Sequence, residues 1–287
     1  MPKEERHLIT TALERTWPKE KTSVLFLGEW CKKYNRRNEW KKYDHITSYY
    51  HWNNRTKLHE DFNYITNLYE KVLGELTIKL NEIHKVSYSK KYWRILLGRW
   101  LSLFIQTVYD RWASIKYVQK NYKIKNTYIL KYEPNYLIPK DTFQFEFLVM
   151  DDFWNDKIYG ELIQSNTDIP FDFINYNNKI EVKKKNLLNF NFSFKKILKK
   201  LFFYLSRCFK KKNDIFFLRT YLKDIDSILV QLKLKQSPII WQQVNYEVSN
   251  KIIDEYRNWT LESNPNDQFS QILSKILPKN MPISFLK

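Results

Sequence analysis

Residues 7–31 read HLITTALERTWPKEKTSVLFLGEWC, and this stretch decides the fold class. Two apolar runs, 7–13 and 24–27, flank a Trp-Pro-Lys-Glu-Lys break; alternation and β-branched side chains predict two strands. Strands of an open α/β sheet present their functional groups just past their C-terminal ends. That places Glu14, Arg15, Glu29 and Trp30 where a ligand would be met.

Working outward, residues 44–52 (DHITSYYHW) predict a third short strand, after which Asn53 or Asn54 can cap a helix. From 55 to 84 a helical stripe runs through Leu58, Phe62, Ile65, Leu68, Tyr69, Val72, Leu76 and Leu80, with Glu60, Asp61, Glu70 and Lys71 off it. A second helix, 89–117, is apolar round most of its circumference from Ile95 to Val108, which predicts burial. Its charges therefore stand out: Arg94, Arg99, Asp110 and Arg111. Neighbours on a helix do not face each other, so Asp110 and Arg111 are expected to find partners elsewhere.

Residues 123–130 predict a strand, and 142–164 one helix with Asp151, Asp152 and Asp156 near its middle, the contiguous Asp151-Asp152 pair being expected on a solvated face. An Asn-rich loop covers 165–191, interrupted by IPFDFI. Beyond it come a strand at 214–222, a helix capped by Asp224 or Asp226 and running to 235, a short run at 239–241 and a last helix at 267–277. Residues 278–286 resemble a loop entering a new strand, which suggests a truncated protein. The expected class is α/β, with strands interleaved by long helices.

Composition narrows the function. The chain of 287 residues has only 4 glycines, and neither G-x-G-x-x-G nor G-x-x-x-x-G-K-[ST] occurs, so no cofactor is expected from a phosphate-loop fingerprint. Cys31 and Cys208 share no motif spacing and are expected as free thiols of a reducing compartment. The polar start MPKEERH does not read as a signal peptide and no apolar run reaches the length of a membrane span, so a cytoplasmic location is expected. None of His7, His45, His51, His59 or His84 stands at metal-ligand spacing, so no metal is expected.

Among chemistry-bearing residues, His51 sits between Tyr50 and Trp52 at a strand end, suited to acid/base work or to a satisfied structural role. Glu14 and Glu29 end two strands and could act as a carboxylate pair, or each could pair with an Arg. Arg55 opens a helix, where a cation suggests an anionic ligand nearby or is simply solvated.

Net charge is +18, and residues 183–212 hold eleven Lys and Arg with no acid. Helical spacing there puts Phe194, Ile197, Leu198, Leu201, Leu205 and Cys208 on one side, with Lys195, Lys196, Lys199, Lys200 and Arg207 beside or opposite them. Such a basic amphipathic helix suits an anionic membrane surface. A solvated helix packed on its domain fits equally well, and nucleic acid ranks below both.

The stretches LITTALERTWPKEKTSVLFLGEWC, YYHWNNR, YWRILLGRWLSLFIQTVYDRW and LPKNMPISFL together resemble a family of transferases encoded in bacterial surface-carbohydrate (O-antigen or capsule) clusters. The likeness spans 9–286 and is loose between 120 and 212. It implies a GT-B glycosyltransferase with two Rossmann-type domains, of which this chain would be the N-terminal, acceptor-side one. The basic 183–212 segment would be an insertion, and the nucleotide-sugar domain would lie outside this chain. The implied partners are a nucleotide-sugar donor and a carbohydrate or lipid-linked acceptor, met at the inner face of the membrane. The alternative function is a non-enzymatic nucleic-acid- or partner-binding protein using 183–212. Motif-matching positions give Glu29, His51 and Asp110 as catalytic candidates. The substrate-binding candidates are Thr10, Thr11, Glu14, Trp30, Arg55, Arg94, Arg99 and Arg111.

Overall fold

The computed structural model of the chain describes residues 4–20, 22–133, 135–176, 214–215, 217, 222–238 and 254–286. It divides into two compact units, Met1–Asn178 with Val248–Lys287, and Lys179–Glu247. In the first unit the chain forms β1 (Glu5–Ile9), β2 (Val24–Phe26), a short α1 (Arg37–Trp40) and β3 (His45–Thr47). The long helices α2 (Arg55–His84) and α3 (Lys90–Asn121) follow, then β4 (Lys123–Lys131), α4 (Thr142–Leu148), α5 (Asp152–Asn166) and β5 (Phe171–Asn175). Helix α6 (Asp224–Lys233) belongs to the second unit, and α7 (Gln268–Asn280) returns to the first.

The strands make a five-stranded sheet in the order β3-β2-β1-β4-β5, and every pairing is parallel. The fold is α/β and Rossmann-like, with the strand order reversing between β1 and β4. β2 is apolar along its length and β1 and β4 become apolar towards their C-terminal ends, where the sheet is covered on both faces: Leu8, Val24, Leu25 and Phe26 are fully buried. One hydrophobic core joins them to Leu73 and Leu76 of α2, Trp100 and Phe104 of α3, Trp154 of α5 and Phe269 of α7. Among the described residues no helix is long and apolar enough to cross a membrane.

Asn54 caps α2 by accepting from the Lys57 amide, and Ser89 does the same for α3 at Tyr92. Other expectations need correction. The strand expected over 7–13 stops at Ile9, because the chain bends into a 3-10 turn at Glu14–Thr16 and Trp17 Nε1 donates to the Thr11 carbonyl at 3.2 Å. On α2 the expected stripe is buried at Ile65, Leu68, Val72, Leu76 and Leu80, but at its start Phe62 is 59% exposed and Asp61 is buried instead. The start of α3 is open on one side, with Ile95 75% exposed and Leu96 47% exposed, although Trp93 is already buried.

The single helix expected over 142–164 is two. Asp151 is not in mid-helix but caps α5, accepting from the Phe153 and Trp154 amides; Asp152 pairs with Lys33, and Asp156 is buried. IPFDFI is not loop: residues 171–175 add β5 alongside β4, with Thr127 opposite Phe171. The end of the chain does not enter a strand. Ile283–Phe285 form a 3-10 turn whose Ile283 and Ser284 amides donate to the Pro139 and Lys140 carbonyls at 2.9 and 2.8 Å.

In the second unit, α6 has Lys223 at its N-cap position, which is not one of the two residues expected there, and Lys223 makes no side-chain cap. Gln236 makes a two-way amide bridge to the Ile215 backbone at 3.0 and 2.8 Å. The strand read at 214–222 falls mostly outside the described residues. The run 239–241, Cys208 and the basic segment 183–212 lie wholly outside them. Cys31 is a buried free thiol.

Helix α5 approaches β4 so closely that a Cβ on Gly160 would lie 2.6 Å from Ile129 Cγ2, while one on Gly74 of α2 meets nothing within 4 Å. Gly160→Ala should therefore lower stability by about 1–3 kcal/mol through overpacking. Gly74→Ala should raise it by about 1 kcal/mol through helix propensity. Urea unfolding midpoints of the two variants should move in opposite directions.

Candidate functional site

A cleft of about 600 Å³ opens beyond the C-terminal ends of β2 and β3. Its first wall follows β2, where the chain turns through Gly28 into a 3-10 turn at Glu29–Cys31. The Trp30 ring folds back over Gly28 so tightly that a Cβ there would sit 2.1 Å from it, which only glycine allows. Trp30 Nε1 donates to the Thr10 carbonyl at 3.0 Å, pinning the indole to the end of β1 with 38% of its surface open. The second wall follows β3: the Ser48 amide donates to the Phe26 carbonyl at 2.9 Å, and Tyr49 and Tyr50 come next. Helix α3 closes the cleft with Asp110 and Arg111.

Asp110 is 5% exposed and all its hydrogen bonds are charge-assisted. Oδ1 accepts from the Tyr50 hydroxyl at 2.8 Å and from His51 Nε2 at 3.2 Å, and Oδ2 accepts from Arg111 Nη1. Burial alone would raise its pKa. The hydrogen bond from His51, the charge of Arg111 and the Tyr50 hydroxyl outweigh burial and hold the carboxyl below the usual range. An ionised carboxylate only accepts, so His51 carries its proton on Nε2. On the other side, His51 Nδ1 lies 4.0 Å from Asp61 Oδ2 without a hydrogen-bond partner. Asp61 is itself saturated, by Trp52 Nε1 at 2.9 Å, Tyr109 OH at 2.7 Å and Lys57 Nζ at 2.9 Å.

Arg111 reaches further: its Nε donates to Asn155 Oδ1 at 3.0 Å, and the Asn155 amide is anchored to the Val149 and Asp151 carbonyls at 3.0 and 2.8 Å. Asp110 and Arg111, expected to find partners only elsewhere, also bond each other, because the long arginine side chain curls back to its neighbour. Among the described residues no three His, Cys, Asp or Glu side chains gather as a metal-binding group.

The cleft thus brings together Glu29, Trp30, Asp110 and Arg111, with the Thr10 carbonyl beneath the indole and His51 directly behind Asp110. The Glu29 carboxylate is 78% open and pairs with Lys32 at 3.0 Å. The other candidates lie outside it. Thr11 is buried and supports Trp17; Glu14 pairs with Arg36; Arg94 pairs with Glu70; Arg99 pairs with Glu146; Arg55 is exposed at the start of α2. Arg15 is exposed, its guanidinium 5.3 Å from the Phe153 ring and 5.0 Å from that of Tyr176. Lys195, Lys196, Lys199, Lys200 and Arg207 fall outside the described residues.

Sequence reasoning passed over Tyr50, Asp61 and Asn155. Asp61 had a signal: it precedes Ile65, Leu68, Val72 and Leu76 at helical spacing and so belongs to the inward stripe.

A family model described as LIC12162 family transferase matches residues 6–287. The chain belongs to the LIC12162 family of transferases. No curated protein matches it, and no solved structure does either. In this transferase the cleft lies where open parallel sheets bind ligands, outside the carboxyl ends of the strands.

Two buried carboxyls give the transferase opposite pH responses. Asp156, held by the Leu130 amide at 3.3 Å and the Tyr132 hydroxyl at 2.8 Å, is pushed by burial from 3.8 up to about 7. The folded protein keeps this proton longer than the unfolded chain, so its stabilisation is complete below 3.8 and is lost as pH rises through about 7. Asp110 is depressed, so its contribution is present above the ordinary carboxylate range and is lost as pH falls through its folded value. Urea midpoints measured against pH should fall from mid-acid to neutral in the parent, and Asp156→Asn should flatten that decline. Asp110→Asn should cost about 3–5 kcal/mol at neutral pH, because it leaves the Arg111 charge without its carboxylate.

Proposed function

We propose that this chain is the acceptor-side domain of a glycosyltransferase of surface-polysaccharide biosynthesis, and that the cleft past β2 and β3 holds the sugar acceptor. The observation that carries the reading is the lining itself. The pinned, partly open indole of Trp30 and the rings of Tyr49 and Tyr50 stand over a floor of Asp110, Arg111 and Ser48. Sugars present apolar C–H faces and a rim of hydroxyls, and a pocket with aromatic faces and few fixed polar groups complements both.

Both oxygens of Asp110 are already occupied, so its role is positioning: it fixes Tyr50, His51 and Arg111. Glu29 has the open carboxylate and is assigned as general base. It takes the proton of the acceptor hydroxyl as that oxygen bonds to the anomeric carbon and the nucleoside diphosphate leaves with the electron pair of the broken bond. The donor would be held by a second Rossmann-type domain, as in the GT-B arrangement that the sequence resembles. A lipid-linked acceptor would bring the protein to the inner face of the membrane, with residues 183–212 as its contact.

Binding of bacterial surface glycans to this chain, read by saturation-transfer NMR, tests the acceptor assignment. Trp30→Ala should weaken the bound glycan about tenfold, or about 1.4 kcal/mol. Glu29→Gln should leave that affinity unchanged and lower turnover, assayed with a donor-binding domain, by about 10²–10⁴. Equal glycan binding by the parent and Trp30→Ala would sink the reading.

A further inference from the structure

A second cleft, of about 530 Å³, lies on the other side of the sheet's switch point, against β4, β5, α5 and the end of α7. Its lining is more basic than acidic: Lys131, Lys157, Arg257 and Lys279 stand against Glu133 and Glu161. Two of these cations are built into the protein. Lys157, 12% exposed at its side chain, donates from Nζ to Asn280 Oδ1 at 2.9 Å and lies 3.6 Å from Glu161. Arg257, 7% exposed, donates from Nη1 to the carbonyls of Pro278 and Met281 at 3.1 and 2.7 Å, which fixes it at the C-terminal end of α7.

The negative end of that helix dipole favours cations and accounts for about half a charge. It does not account for Lys131 and Lys279, which are exposed and make no ion pair among the described residues, whereas the buried Lys157 is met by Glu161 and Asn280. Cations gathered in one cleft repel one another unless an anion meets them. Ile129, Ile138 and Phe173 give the cleft an apolar wall, beside the polar Tyr132, Asn135 and Gln164. Basic groups at one place and apolar walls at another match an ester: an anionic head with an organic substituent.

We infer that this cleft binds a diphosphate ester, with Lys131, Lys157 and Lys279 on the phosphates and Ile129 and Phe173 against the substituent. The diphosphate chemistry is common to a nucleotide and to a lipid carrier; only the choice between them rests on the glycosyltransferase reading.

Isothermal titration of the full chain at about 150 mM salt, where loose surface attraction is screened, uses inorganic phosphate, inorganic diphosphate, uridine diphosphate and farnesyl diphosphate. At least one ester should bind saturably and at least tenfold more tightly than inorganic phosphate. Preference for farnesyl diphosphate assigns the cleft to a lipid carrier, and preference for uridine diphosphate to a nucleotide. The double variant Lys131→Ala/Lys279→Ala alters exposed side chains and should weaken binding at least tenfold, with Lys131→Arg/Lys279→Arg restoring most of it.

Because the chain is so basic, the control is Lys195→Ala/Lys196→Ala/Lys199→Ala/Lys200→Ala, which should bind like the parent. The inference is overturned if no ester saturates, if the Lys131/Lys279 double alanine variant binds normally, or if the 195–200 variant is the one that loses binding. Trp30→Ala in the same titration should leave diphosphate affinity unchanged. Loss of glycan binding and loss of diphosphate binding are thus read separately, and either assignment can fail without the other.

Discussion

The buried carboxylate of Asp110 holds the cleft in place. A charge with 5% exposure is stable only when donors replace its water, and here they come from distant stretches of chain. Tyr50 and His51 follow β3, Arg111 follows Asp110 on α3, and the bond from His51 spans a sequence separation of 59 residues. The carboxylate therefore fixes where α3 sits against the end of the sheet. Through Arg111 and Asn155 the same network fixes the first turn of α5. Asp61 repeats the device one shell deeper, gathering Trp52, Tyr109 and Lys57 on the far side of His51.

The first turn of α5 carries this organisation across the sheet. Asn155, Asp156 and Lys157 are consecutive, so their side chains leave the helix about 100° apart. Asn155 holds Arg111 at the first cleft, Asp156 holds the end of β4 through Leu130 and Tyr132, and Lys157 enters the second cleft. Asp151 secures the turn by capping it. Gly160, one turn later, lets the helix lie close enough on β4 for these reaches to be met. The spacing of the two clefts is in this way a property of one rigid turn.

Much of this was legible in the sequence where pattern and burial agree. The α2 limits follow from its caps and periodicity, and the short strands β1, β2 and β3 follow from apolar runs broken by polar turns. What could not be read were choices made by tertiary contacts. Whether the first turns of α2 turn Phe62 or Asp61 inward depends on donors that arrive from residues 52 and 109. Residues 171–175 become a strand only because β4 offers a free edge, since their own exposure pattern is mostly open. The break between α4 and α5 hinges on Asp151 acting as a cap, and an Asp pair within an apolar pattern does not announce that. Of the site, the pieces that follow strand ends, Glu29, Trp30 and His51, were readable from topology. The arginines were not, because an exposed ion pair such as Arg99 with Glu146 and a buried hub such as Arg111 look alike in sequence.

Scarcity of glycine also shapes the chemistry open to this sheet. A Rossmann-like fold ordinarily meets phosphate with a glycine-rich turn after β1 and the N-terminus of the helix behind it. Here residues 10–23 contain no glycine, and a three-residue 3-10 turn stands in place of that helix. Backbone amides cannot crowd round an anion there, and so short a turn has little dipole to offer. The buried Thr10 and Thr11 instead hold Trp30 and Trp17, so the end of β1 supports aromatic rings. A charged group bound at this sheet would have to be met by side chains, and side chains long enough to gather round one are lysine and arginine. They gather beside β4, on the far side of the switch point from the aromatic cleft. The fold keeps its ligand-facing edge while dividing it into a ring-lined half and a cationic half.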